Sequence, residues 1–159
     1  MTVSNKTTIV AEPGTQNVVI TRVINAPRDR VFQAYTDPEL FAQWSGPRSL
    51  TTNVLEMNPV PGGRYRFVHA DAEGNEYAFK GVFHDLKENE SIVQTFEFEG
   101  MPGHISLEAM SLQDVDGGTL ITGTSVFQSV EDRDGMLQSG METGVNEGFE
   151  KLEELLGEK

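Results

Sequence analysis

The chain has 159 residues, with 12 lysines and arginines against 25 aspartates and glutamates, a net charge of -13, and no cysteine. That length suits one domain with a sizeable core, while the acidity and the lack of any basic cluster argue against nucleic acid or an anionic membrane surface as a partner. Without cysteine there is no disulfide framework, thiolate nucleophile or cysteine-ligated zinc.

Residues 1–15 are polar and contain Pro13 and Gly14, which predicts a loosely ordered tail ahead of a single domain over residues 16–159. They lack the basic flank and apolar core of a secretory signal, and no window approaches an apolar run of membrane-spanning length. A cytoplasmic protein is therefore expected. Residues 17–25 alternate as a first strand. The period then lengthens: Pro27, Val31, Phe32, Tyr35, Leu40, Phe41 and Trp44 describe two short helices broken at Asp37-Pro38, an N-cap followed by a first helical residue.

Six strand-like runs follow, over residues 50–57, 64–70, 76–85, 91–98, 105–114 and 119–127. The separators are too short for helical crossovers, so neighbouring strands are antiparallel. A strand, two small helices, a meander and a final helix make an α+β plan with about seven strands. Tyr65, Phe67 and His69 share one face by period two, as do Tyr77, Phe79 and Phe83, and Phe96 with Phe98.

Residues 129–156 read as one long C-terminal helix. Ser129 with Asp132 resembles a capping box, and Gly157 is placed to terminate it. Met136, Met141, Val145, Phe149, Leu152 and Leu156 form its apolar stripe, flanked by Gly140, Gly144 and Gly148. Each interior glycine costs roughly 1 kcal/mol against alanine. Either another backbone packs closely there, or the helix roofs a cavity; the aromatic strands and the small side chain at Val145 favour a roof.

Residues 26–44, APRDRVFQAYTDPELFAQW, resemble the opening signature of the bacterial homologues of the Hsp90 ATPase activator, within the START-like or Bet v 1-like superfamily. Pro61-Gly62-Gly63-Arg64-Tyr65-Arg66-Phe67, the hairpin over residues 71–75 and Ser139-Gly140-Met141-Glu142-Thr143-Gly144 resemble later landmarks of that family. The resemblance implies a helix-grip fold, a curved antiparallel sheet around a long C-terminal helix. Members often carry tryptophan where Ser45 and Val145 stand; smaller residues there mean a roomier pocket if they line it, or neighbours that fill the space.

The leading functional expectation is a non-catalytic carrier or sensor of a small apolar or amphipathic molecule held between sheet and final helix. Its expected lining is Trp44, Phe67, His69, Tyr77, Phe79, Phe96, Met136, Met141, Gly144 and Val145. One alternative, implied by the resemblance, is a module acting on an Hsp90-type chaperone ATPase. The other is a cyclase-like or lyase-like enzyme using His69 with a nearby tyrosine or carboxylate. His69, His84 and His104 lack ligand spacing, and residues 71–76 place glycine and flanking strands wrongly for a calcium loop, so no metal or cofactor is expected. The acidic final helix reads as a solvated face, or as a docking surface for a basic partner.

Overall fold

A computed structural model describes residues 6–157. Eight strands form one curved antiparallel sheet: β1 (Thr8–Val10), β2 (Asn17–Ile24), β3 (Thr51–Met57), β4 (Arg64–Ala70), β5 (Glu76–Lys87), β6 (Ser91–Phe98), β7 (Ile105–Val115) and β8 (Gly118–Val126). Their order across the sheet is β1-β2-β8-β7-β6-β5-β4-β3, so the meander from β3 to β8 closes on the first long strand. Between β2 and β3 lie α1 (Arg28–Thr36) and α2 (Pro38–Trp44), and after β8 come α3 (Val130–Gln138) and α4 (Met141–Leu156). This is the helix-grip arrangement.

The local signals act as their chemistry requires. Asp37 accepts hydrogen bonds from the amides of Glu39 and Leu40, and Pro38 opens α2. Ser129 accepts from the amide of Asp132 at the start of α3. Across residues 71–75, the Asp71 carboxylate accepts from the amides of Glu73 and Asn75, which makes this segment a hairpin turn.

Three expectations are corrected. The sheet has eight strands rather than about seven, because residues 8–10 of the expected tail pair with Val19–Thr21 of β2; residues 1–5 of that tail lie outside the described residues. The buried Arg133 holds the segment between β1 and β2, donating to the carbonyls of Glu12 and Asn17 and to the Thr15 hydroxyl. The C-terminal helix is two helices. Gly140 adopts φ +89°, a left-handed conformation that ends the first and starts the second.

The third concerns what covers the sheet. Helix α4 packs on α2, β2 and α1, burying Phe149, Leu152 and Leu156 with Ile24, Val31, Trp44 and Ile121 in one apolar cluster. A second cluster, Tyr65, Phe67, Phe83 and Ile92, is covered by Phe32, Tyr35 and Phe41 of α1 and α2. The small helices therefore share the covering role expected of the final helix alone.

Candidate functional site

The aromatic strands present a connected row of rings on the concave face. Ring centroids lie 5.4 Å apart for Trp44 and Phe41, 5.2 Å for Phe41 and Phe67, 5.3 Å for Phe67 and Phe79, and 5.4 Å for Phe79 and Phe96. His69 joins the row, 5.2 Å from Phe67 and 5.1 Å from Phe79. Trp44 and Phe67 are buried, while Phe41, Phe79 and Phe96 are only half-buried. Five expected lining residues, Trp44, Phe67, His69, Phe79 and Phe96, are thus brought together.

The other five are not part of this row. Tyr77 stands opposite His69 in the β4–β5 register but is 37% exposed. Val145 packs on the cluster beneath α4. Met136 and Met141 are half-buried on either side of the break at Gly140. Gly144 faces Pro47, and a Cβ at Gly148 would stand 3.3 Å from the Trp44 carbonyl oxygen. These two glycines admit the loop after α2 to the helix, the close-packing reading rather than the roof.

His69 is 9% exposed, with Nε2 3.5 Å from the Ser45 hydroxyl. Its ring lies over Gly46, where a Cβ would stand 2.8 Å from the ring. Burial, reinforced by the positive charge of Lys151, lowers its pKa to about 4, so the imidazole is neutral at pH 7 and a weak base.

A polar group missed by sequence reasoning lies on the same concave face. Glu108 Oε1 accepts from the Ser125 hydroxyl at 2.6 Å, and Oε2 from the Ser106 hydroxyl at 2.5 Å. Burial raises the pKa of this carboxyl, while the two serine hydrogen bonds oppose the rise. Across the sheet, Glu108 is in register with Gln94 on β6 and Ser125 on β8, and Ser106 with Phe96. A signal was present: period two puts Glu108 on the side of Met110 and Leu112, both in the apolar clusters.

The acidic side of α4 is already engaged. Arg48 pairs with Glu150 at 3.5 Å and with Glu154 at 2.6 Å, which offsets the repulsion expected between those two acids. Arg22 pairs with Glu153 at 3.1 Å. Two clefts of about 380 and 370 Å³ lie elsewhere, one bounded by Arg22, Glu150, Glu153, Glu154 and Gly157, the other by Phe32, Thr36, Val60 and Leu86 with their neighbours. Neither is lined by the expected ligand residues. Among the described residues no cluster of potential metal ligands occurs, and no helix is long and apolar enough to cross a membrane.

The fold recurs in solved structures. Protein Ms6760 of Mycobacterium smegmatis is 25% identical with a TM-score of 0.86, over 95% of this chain and 97% of that one. A Staphylococcus epidermidis protein is 27% identical with a TM-score of 0.78, over 92% of each chain. A protein from Arthrobacter aurescens, at 20% identity and a TM-score of 0.87 over 96% and 92%, shares the fold. Among curated proteins nothing matches. The model of the Activator of Hsp90 ATPase homolog 1-like proteins matches residues 25–157, nearly the whole of the described domain, and the chain belongs to that family.

Proposed function

We propose that the protein binds a small apolar or amphipathic molecule against the concave face of the sheet, beneath the C-terminal helices, as a carrier or sensor. The half-buried stretch of the aromatic row, Phe79 and Phe96, carries this reading. Rings left partly open at the β6 end of the row offer a flat apolar surface.

The test is thermal denaturation and native mass spectrometry against a library of lipids and aromatic metabolites. A ligand present at one hundred times its Kd stabilises by about 2.7 kcal/mol, and Phe96→Ala should abolish the response. If no compound shifts the transition or adds mass, the reading fails.

The family relationship supports a second reading, modulation of an Hsp90-type ATPase. It predicts salt-sensitive binding and altered ATP turnover; unchanged turnover at saturating protein rules it out. The pairing of Glu150, Glu153 and Glu154 with arginines of the same chain leaves the final helix poorly suited to be the docking surface.

A further inference from the structure

Strand β7 turns Ser106, Glu108, Met110 and Leu112 to the concave face, so a carboxylic acid stands between a serine and the methionine that begins the apolar part of the strand. Glu108 is half-buried, and a carboxyl only partly open to water still gains from a counter-charge or further donors. Among the described residues, none of the ion pairs includes Glu108. Its donors are the hydroxyls of Ser106 and Ser125, one on each oxygen. A carboxylate offers about four acceptor positions, so each oxygen retains one. The nearby phenol does not supply the missing donor, because Tyr65 gives its hydrogen to the Thr95 carbonyl.

The neighbourhood leaves room. Gly123, two residues before Ser125 on β8, sits opposite Met110. A Cβ there would find only the Ile20 carbonyl, at 4.0 Å, so the wall beside the carboxyl is open. On the other side, Phe96 stands opposite Ser106 and continues to Phe79. A carboxyl with spare acceptor sites, a gap beside it and an aromatic surface next to the gap form one composite site.

Resting on the ligand-binding reading above, we propose that Glu108, held by Ser106 and Ser125, anchors the polar head of the ligand, and that the ligand is an amine-bearing amphiphile whose apolar body lies on Phe96 and Phe79. An ammonium supplies both the donors and the counter-charge that the fold withholds from Glu108. An alcohol supplies a donor alone. A carboxylate head brings a second negative charge into a chain of net charge -13.

The test compares 4-phenylbutylamine, 4-phenylbutan-1-ol and 4-phenylbutanoate, three heads on one body, by NMR titration of the wild-type protein and of Glu108→Gln. On the wild type, the amine should bind at least about tenfold more tightly than the carboxylate, with the alcohol between, and the shifts should centre on the amides of Ser106, Gly123 and Ser125. Glu108→Gln should bring amine and carboxylate within about threefold while leaving the alcohol nearly unchanged. Binding at those amides with no head preference, or with the carboxylate tightest, overturns the anchor and leaves the ligand-binding reading standing. Absence of binding by all three overturns the anchor, and the library screen then decides the ligand-binding reading separately. If Glu108→Gln does not fold, the order of the three heads on the wild type decides.

Discussion

Gly148 on α4 lies against Trp44 at the end of α2, so close that a Cβ would stand 3.3 Å from the Trp44 carbonyl oxygen and 3.7 Å from the Gly46 amide nitrogen. The glycine stripe is thus three different devices. Gly144→Ala meets only Pro47 Cδ, at 3.5 Å, an ordinary contact, and should stabilise by about 0.5–1 kcal/mol through helix propensity. Gly148→Ala should gain nothing or lose, since its neighbour is backbone. Gly140→Ala should cost about 1–2 kcal/mol, because φ +89° is unfavourable for any residue with a Cβ. Urea denaturation of the three variants gives the order directly; equal effects at all three positions would contradict the assignment.

Arg133 clasps the start of the chain. It is 3% exposed and donates to Glu12, Thr15 and Asn17 while pairing with Asp134 at 2.8 Å. Arg133→Ala removes the common donor of these three acceptors and empties a buried site, and should destabilise by about 1–3 kcal/mol, with the amides of β1 losing hydrogen-exchange protection first. Arg133→Lys should restore only part, because one ammonium cannot reproduce the planar fork. Protection of β1 unchanged by Arg133→Ala would show that strand pairing alone holds this segment.

The meander was legible because period-two alternation and Gly, Asp and Asn turns are local signals, and the caps at Asp37 and Ser129 were legible for the same reason. What escaped depends on distant partners. Gly140 falls in register with Gly144 and Gly148, so spacing alone does not reveal that it breaks the helix. β1 is three residues long and exists through β2 and Arg133. Glu108 looks like a solvent-side acid until its strand parity is read against Met110 and Leu112. The face of His69 was readable, but its lowered basicity comes from burial and from Lys151 on α4.

That coupling has a pH signature. In the unfolded chain His69 takes up a proton near its ordinary pKa of 6.5, whereas in the fold it resists until about 4. The unfolded state therefore binds more protons between those values, and stability should fall as pH drops from about 6.5 towards 4, by up to about 3 kcal/mol, and then level off for this group. Comparing the wild type with His69→Gln by urea denaturation isolates the term from carboxylates that titrate lower. The wild-type slope between pH 5 and 6.5 should differ from that of the variant by the share that His69 supplies, and an imidazole NMR titration midpoint near 6.5 would refute the argument. Lys151→Met should move that midpoint upward, since the second cause of the depression is the lysine charge.

Tyr65 spans a gap in the sheet. Its hydroxyl donates to the Thr95 carbonyl at 2.5 Å, and the Val82 amide donates to the Thr95 hydroxyl at 3.0 Å, where β5 and β6 are paired at Lys80 and Glu97 on one side and at Phe83 and Gln94 on the other. Gly81 makes this possible, because a Cβ there would collide with the Thr95 carbonyl and stand 2.6 Å from the Tyr65 hydroxyl oxygen. Tyr65→Phe leaves a carbonyl without its donor and should cost about 1–3 kcal/mol, whereas Gly81→Ala should cost more, since backbone must move. The double variant should remain as unstable as Gly81→Ala, because removing the phenol oxygen does not remove the carbonyl. Rescue in the double variant would place the whole conflict on the hydroxyl. Since that hydroxyl is committed to Thr95 rather than to Glu108, Tyr65→Phe should lower stability while leaving the order of amine, alcohol and carboxylate ligands unaltered.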